Sequence, residues 1–208
     1  MALNGLEEAA VVHRGDSTAE GIRDISALPM HEIRASSRYA GAIEATADLL
    51  SRLRIEALFV GSVARAAWLG GEVSSGSIDV LTLMNAPQKN QVAMMASNRG
   101  YRVERAEIEQ SEELDLVPIN FIHEDGDVRV HVLLATNALY GRMFAPSQEA
   151  RLGERTLKVP APEDLALMLT MAGDEAAVKQ LTELPEFDLR RHNERLVAIG
   201  LGELVVAE

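Results

Sequence analysis

The sequence contains no cysteine among its 208 residues. Disulfide bonds, thiolate metal ligands and cysteine nucleophiles are therefore excluded from its fold and its chemistry. A chain of this length with 47% hydrophobic residues has enough apolar side chains to form a core without such crosslinks. Because the absence of cysteine is compatible with a reducing compartment, we expect the protein to be cytoplasmic.

Long apolar runs are also absent, and aromatic residues make up only 4% of the chain. A helix needs about 20 consecutive apolar residues to cross a bilayer, and no stretch of this sequence is that long. The first residues, MALNGLEEAAVVHRGD, include two adjacent glutamates and lack the apolar centre of an export signal. We therefore expect a soluble protein that is neither exported nor bound to a membrane.

Positive charge is scarce, since 20 lysines and arginines stand against 32 aspartates and glutamates, for a net charge of −12. Lys and Arg supply the sequence-independent affinity for nucleic acids by neutralising phosphates, so this balance argues against unaided binding of DNA or RNA. Small basic clusters occur at Arg52 and Arg54 and at Arg190, Arg191 and Arg195, and we interpret them as solvated helix faces. The acidic surface leaves a homodimer or a protein partner open.

The order of helical and extended patterns indicates a mixed β-sheet covered by helices, which is an α+β fold. Apolar residues recur at helical spacing from 38 to 53, and this helix is expected to pack on the sheet. Strands are predicted at 57–60, 78–84, 101–105, 116–123 and 128–135, with an Asp-Gly hairpin turn joining the last two. Further helices are predicted at 63–69, 87–98, 162–173, 175–184 and 188–199, and loops at 72–76 and 107–115.

Three segments are expected along the chain. In residues 1–37 the apolar residues do not recur at a regular spacing. This segment is expected to form either a loosely attached arm or a short helix and turn that cover the domain. Residues 38–159 are predicted to form the α/β domain. Residues 160–208 are predicted to form helices packed on that domain, because the helix after Pro162 is apolar nearly all round and has to be buried.

The stretch from Ala57 to Met84 combines an apolar strand, a Gly61-Ser62 turn, a short helix and a second strand that carries Asp79. A Gly-Ser turn that opens a helix presents free N–H groups and the positive end of the helix dipole, which together suit a phosphate. A carboxylate on the neighbouring strand can hold a metal ion bound to that phosphate. The alternative is a structural turn in which Ser62 is the N-cap and Asp79 binds a loop serine, either Ser74, Ser75 or Ser77.

Several sequence segments carry a family resemblance: GS at 61–62 followed by SIDV at 77–80, NRGY at 98–101, and VPAPEDL at 159–165 followed by AG at 172–173. In this order they resemble the signature of the nucleotidyltransferase superfamily, which shares the DNA polymerase beta palm fold. The last segment is similar to the PEDL segment of its small bacterial members. The resemblance implies a nucleotidyltransferase-like mixed sheet flanked by helices, with a C-terminal helical segment.

The resemblance also implies a catalytic and metal-binding role for Asp79. In this superfamily two acids, spaced D-x-D or D-x-E, and a third acid on a nearby strand hold two divalent ions that clamp the triphosphate. Matched residue by residue, the first acid is Asp79, the second position is Leu81 and the third is His131. Leucine offers no ligand atom, and histidine is a poor ligand for Mg²⁺. We therefore expect metal-dependent transfer to be impaired or absent, with Mg²⁺ or Mn²⁺ as the cofactor if the protein is active.

The implied nucleotide-binding residues are Gly61, Ser62, Arg65 and Ser77. Arg65 lies one turn into the helix, from where it either reaches a phosphate or pairs with Glu72. His131 either completes a minimal metal site with Asp79 or is a satisfied core residue. Trp68 either stacks on a base or packs under the sheet.

Three hypotheses for function follow from these alternatives. The first is a nucleotidyltransferase-fold protein that has lost efficient transfer and retains nucleotide binding. The second is an active enzyme with a non-standard metal site. The third is a non-catalytic interaction module.

Overall fold

A computed structural model describes residues 31–99, 101–104, 116–123, 128–135 and 138–202 of the protein. The predictions for residues 1–30, the acidic loop at 107–115 and the Asp-Gly turn lie outside these ranges. Within them, no helix combines the length and the apolar character that a membrane crossing requires.

The described ranges contain ten strands and seven helices. The strands are His31–Glu32 (β1), Arg34–Ala35 (β2), Glu56–Val60 (β3), Glu72–Val73 (β4), Ile78–Leu83 (β5), Tyr101–Glu104 (β6), Leu116–His123 (β7), Val128–Ala135 (β8), Gln148–Leu152 (β9) and Arg155–Val159 (β10). The helices are Ser37–Arg52 (α1), Gly61–Leu69 (α2), Ala86–Ser97 (α3), Ala138–Gly141 (α4), Pro162–Met171 (α5), Glu175–Thr182 (α6) and Leu189–Ala198 (α7).

A five-stranded sheet with the order β3-β5-β8-β7-β6 forms the centre of the fold. β5 and β8 are parallel, whereas the other neighbouring pairs are antiparallel. All five strands were predicted from their apolar runs, with boundaries within one residue of those observed. The mixed sheet flanked by helices confirms the predicted α+β class.

Two smaller sheets were not predicted. β1, β9 and β10 form one of them, and β2 pairs in parallel with β4 to form the other. The prediction of a loop at 72–76 is therefore wrong for Glu72 and Val73. A strand of two residues shows no period in the sequence, and its pairing depends on tertiary neighbours that the local pattern does not contain.

The central sheet separates two apolar clusters, and successive residues of a strand contribute to opposite sides. Val80 of β5 lies in the larger cluster with residues of α1 and α2. Leu81, the next residue, lies in the smaller cluster with Leu58, Val60 and residues of α4, α5 and α7. The side of the sheet that faces the smaller cluster therefore carries Leu81 and, by the same alternation, Asp79.

Candidate functional site

Asp79 lies near the start of β5, between the last residue of β3 and the middle of β8. In the sheet register it is paired with Val60 on one side and His131 on the other. Its Oδ1 atom accepts a hydrogen bond from the Ser77 hydroxyl at 2.9 Å. The Nδ1 atom of His131 lies 2.8 Å from the same oxygen. Of the three loop serines considered as partners, Ser77 is the one that binds Asp79.

Gly61 brings the backbone of the strand-to-helix turn against the carboxylate of Asp79. Its φ angle is +56°, a value that L-residues other than glycine rarely adopt. A Cβ atom at this position would lie 2.6 Å from Oδ2 of Asp79. Glycine is therefore required here both for the backbone conformation and for the close approach of the acid.

Ser62 connects the turn to the residue before β5. Its hydroxyl donates to the carbonyl oxygen of Ser77 at 3.0 Å. Helix α2 begins at Gly61, with Val60 in the N-cap position and no side-chain cap. The prediction that Ser62 is the N-cap is therefore wrong, because the glycine turn starts the helix earlier than the side-chain pattern indicates.

Arg65 forms an ion pair with Asp174, with 3.0 Å between Nη1 and Oδ2. Asp174 also accepts from the backbone N–H of Ala177 and so caps α6. Of the two alternatives for Arg65, the pair with Glu72 is not formed, since the guanidinium turns toward Asp174 before α6. The Arg65 side chain remains 46% exposed, so part of the guanidinium still faces solvent.

Leu81, at the position of the second acid, is fully buried. It lies two residues after Asp79 on the same face of β5 and pairs with Leu133 of the parallel strand β8. The neighbouring side chains that could bind a metal ion are one carboxylate, Asp79, and one imidazole, His131. Within the described ranges, no group of three or more His, Asp or Glu side chains is placed to hold a metal ion.

A cavity of about 250 Å³ lies beside Asp79, between the sheet and α5. Among the described residues that line it, Asp79 is the only Asp, Glu, Lys, Arg or His; the others are Val60, Gly61, Leu133, Tyr140, Leu165, Met168, Leu169, Met171 and Ala172. Met168 and Met171 lie at the side of α5 that faces this cavity. Both are only partly buried, and they form part of the cavity wall.

Trp68 is a structural residue of this region. Its indole N–H donates to the carbonyl oxygen of Pro160 at 2.9 Å, and its ring lies 4.3 Å from that of His31. The side chain is buried in the larger apolar cluster. Of the two alternatives for Trp68, packing in the core is the one that the structure shows.

A second polar cluster, between α5 and α7, was missed by the sequence analysis. Glu163 and Asp164 are buried acids in the first turn of α5. Glu163 accepts from the backbone N–H of Asp188 at 2.8 Å, and the Arg195 guanidinium contacts Asp164. The prediction of a solvated basic face is therefore wrong for Arg195, which is 16% exposed. Two acids at the start of an otherwise apolar helix were the signal that such partners were needed.

His192 belongs to the same cluster and is fully buried. Its Nδ1 atom donates to the carbonyl oxygen of Glu163 at 3.1 Å. Desolvation lowers the pKa of His192 below its ordinary value of 6.5, and the hydrogen bond to Glu163 offsets only part of this effect. The imidazole is therefore held neutral where α7 packs on α5.

The fold is similar to that of two solved structures. The structure of ANT(2″)-Ia in complex with adenylyl-2″-tobramycin has a TM-score of 0.54 and 16% identity, over 78% of this chain and 97% of that one. An antigenic nucleotidyltransferase-like protein from Paracoccidioides brasiliensis has a TM-score of 0.52 and 12% identity, over 83% of this chain and 88% of that one. No protein-family model and no curated protein sequence matches the chain. The chain has the nucleotidyltransferase fold, as the sequence resemblance implied.

Proposed function

We propose that this protein keeps the nucleotidyltransferase fold, lacks efficient metal-dependent nucleotidyl transfer, and binds a nucleotide at the start of α2. The observation that carries the proposal is the environment of Asp79. This acid stands beside a histidine, His131, and is followed on the same face by the fully buried Leu81.

The loss of transfer follows from the ligand requirement of two divalent ions. Two-metal catalysis needs ions about 3.5–4 Å apart, held by carboxylates that face both of them. Asp79 offers one carboxylate, and its Oδ1 atom already accepts from Ser77 and lies beside His131. Mg²⁺ takes oxygen ligands in near-ideal octahedral geometry, so an imidazole and a leucine do not replace two acids. The side chains that the described part of the chain places beside Asp79 do not fit a two-ion centre.

The binding site that we propose uses backbone donors and one cation. The first N–H groups of α2 have no acceptors within the helix, and the helix dipole favours an anion at the Gly61-Ser62 turn. Arg65 lies one turn into α2 and is partly exposed. The hydroxyls of Ser62 and Ser77 donate to protein acceptors, so backbone N–H groups and Arg65 would carry the contact with phosphate.

Calorimetric titration with ATP, GTP, CTP and UTP, each with and without Mg²⁺ or Mn²⁺, tests the binding. We expect heat of binding with at least one nucleotide, weakened about tenfold by Arg65→Gln, which removes one charge-assisted contact. Arg190→Gln is the matched control, because Arg190 is 88% exposed and lies on α7. Heat from none of the four nucleotides would remove the binding claim.

A second candidate is an active transferase with a single-ion site, favoured by the contact between Asp79 and His131. An oxygen and an imidazole ligand suit Mn²⁺ or Zn²⁺ better than Mg²⁺. In that case, incubation with nucleotides labelled at the α-phosphate would label an acceptor in a cell extract, and Asp79→Asn would abolish the labelling. Labelling that persists in Asp79→Asn would exclude this site as its origin.

A further inference from the structure

We propose that the cavity beside Asp79 binds a small apolar organic cation, such as an alkylammonium or arylammonium ion. In this arrangement the ammonium group contacts Oδ2 of Asp79, and the hydrocarbon part fills the space between the sheet and α5. The inference rests on the cavity and on the hydrogen bonds of Asp79. It does not depend on nucleotide binding or on transfer.

The walls of the cavity are mostly apolar, and this determines the kind of chemical group that can bind between them. Val60 and Leu133 contribute from the sheet, and Leu165 is fully buried at the side of α5. Met168 and Met171 are partly exposed, so the cavity is accessible along the second half of this helix. Thioether side chains are flexible and polarisable, and they adapt to ligands of different shape. Such a lining favours a hydrocarbon group and offers few partners to a ribose or a triphosphate.

The size of the cavity limits the ligand. Its volume is about 250 Å³, smaller than that of most drug-sized sites. At the ~30 Å³ that one water molecule occupies in the liquid, this space holds roughly eight non-hydrogen atoms. A single aromatic ring or a short alkyl chain with one charged group is of this size.

The charge of the ligand follows from the contacts of Asp79. Its Oδ1 atom accepts from Ser77 and lies beside His131, whereas Oδ2 has no hydrogen-bond partner in the part of the chain that the structure describes. Arg65 pairs with Asp174 instead of Asp79. A partly buried carboxylate next to apolar walls is stabilised by an opposite charge, and an ammonium donor supplies both the charge and the hydrogen bond.

Leu81 strengthens this inference. With a second acid at this position, the face of the sheet would carry more negative charge than one monovalent cation can neutralise. With the buried leucine, Asp79 is the only carboxylate that the described residues contribute to the cavity lining, and one ammonium group balances it. A leucine at the position where the family resemblance implies a second acid thus leaves a site suited to an organic cation.

Three probes of nearly equal size, benzylammonium, benzyl alcohol and benzoate, test the charge requirement by NMR titration of the isotope-labelled protein. We expect benzylammonium to bind at least about tenfold more tightly than benzyl alcohol, because only the ammonium group pairs with a carboxylate. We expect no binding of benzoate. Resonances of His131 and of the Met168 and Met171 methyl groups should shift during the benzylammonium titration.

Two variants test the charge of Asp79 and the space in the cavity independently. Asp79→Asn keeps the size of the side chain and should remove the preference for benzylammonium over benzyl alcohol. Met171→Trp should fill the cavity and weaken both probes. Its matched control is Met94→Trp, because Met94 is 64% exposed on α3. Equal affinity for the three probes, or affinity unchanged by both Asp79→Asn and Met171→Trp, would overturn the inference. An ATP titration of the same sample reports separately on the nucleotide site.

Discussion

Asp79 and His131 occupy paired positions of the parallel strands β5 and β8, and Nδ1 of the histidine lies 2.8 Å from Oδ1 of the aspartate. Two residues further along each strand, the paired positions are Leu81 and Leu133. The polar pair is therefore followed directly by an apolar one on the same face of the sheet. The polar pair therefore lies next to the apolar wall of the cavity that Leu133 lines.

A double-mutant cycle measures the strength of the Asp79–His131 pair. We expect Asp79→Asn and His131→Ala to be coupled by about 1 kcal/mol in the free energy of unfolding, because the hydrogen bond involves a charged partner that is partly screened by solvent. The control cycle is Arg190→Ala with Glu194→Ala, an exposed pair expected to be coupled by about 0.3–0.5 kcal/mol. Both cycles are measured by urea denaturation. Coupling at Asp79–His131 below that of the control would show that the contact has no energetic role.

Replacement of Gly61 by alanine tests the close approach of the turn to Asp79. Gly61→Ala should destabilise the protein by about 1–2 kcal/mol through its positive φ angle, with a further loss from the contact with Oδ2. Gly153→Ala is the matched control, since Gly153 has a φ of +57°, close to that of Gly61, but has no atom within 4 Å of the added Cβ. Thermal denaturation of both variants gives the difference. Equal destabilisation by the two substitutions would show that the Asp79 carboxylate moves away from the added methyl group without loss of stability.

The buried His192 should make the stability of the protein depend on pH. Since its folded-state pKa is lowered below 6.5, the unfolded chain takes up a proton that the folded chain resists. Stability is therefore fully present above about pH 7 and falls as the pH is lowered through 6.5 toward the folded-state pKa. His192→Asn retains a donor toward the Glu163 carbonyl oxygen but does not titrate, so it should flatten this dependence.

Urea denaturation at a series of pH values between 5 and 8 checks the His192 prediction. The two proteins should show the same slope above pH 7, which serves as the internal control. If the unfolding free energies of the wild type and of His192→Asn change in parallel down to pH 5, the histidine does not cause the dependence.

The central sheet was predictable because each of its strands carries a local signal. The runs at 116–123 and 128–135, for example, are apolar, rich in β-branched residues and as long as the observed strands β7 and β8. The two-residue strands β1, β2 and β4 carry no such signal. They form only because β9 and their other partners lie beside them in the folded chain.

The sequence predicted which residues of the candidate site lie near one another, but it predicted fewer of their contacts. The sequence placed Gly61, Asp79, Leu81 and His131 near one another, since a strand-turn-helix unit and its neighbouring strands determine their positions. The partner of Arg65 was mistaken because Asp174 is more than a hundred residues away along the chain. Likewise, the cavity is created by α5 packing on the sheet, a relationship between elements that local patterns do not encode.

The number of Mn²⁺ ions bound per chain, measured by electron paramagnetic resonance with a non-hydrolysable ATP analogue present, tests most directly whether a two-metal centre is missing. We predict at most one Mn²⁺ per chain, bound through the nucleotide phosphates and unaffected by Asp79→Asn. Two Mn²⁺ ions per chain, with one or both lost in Asp79→Asn, would contradict the account.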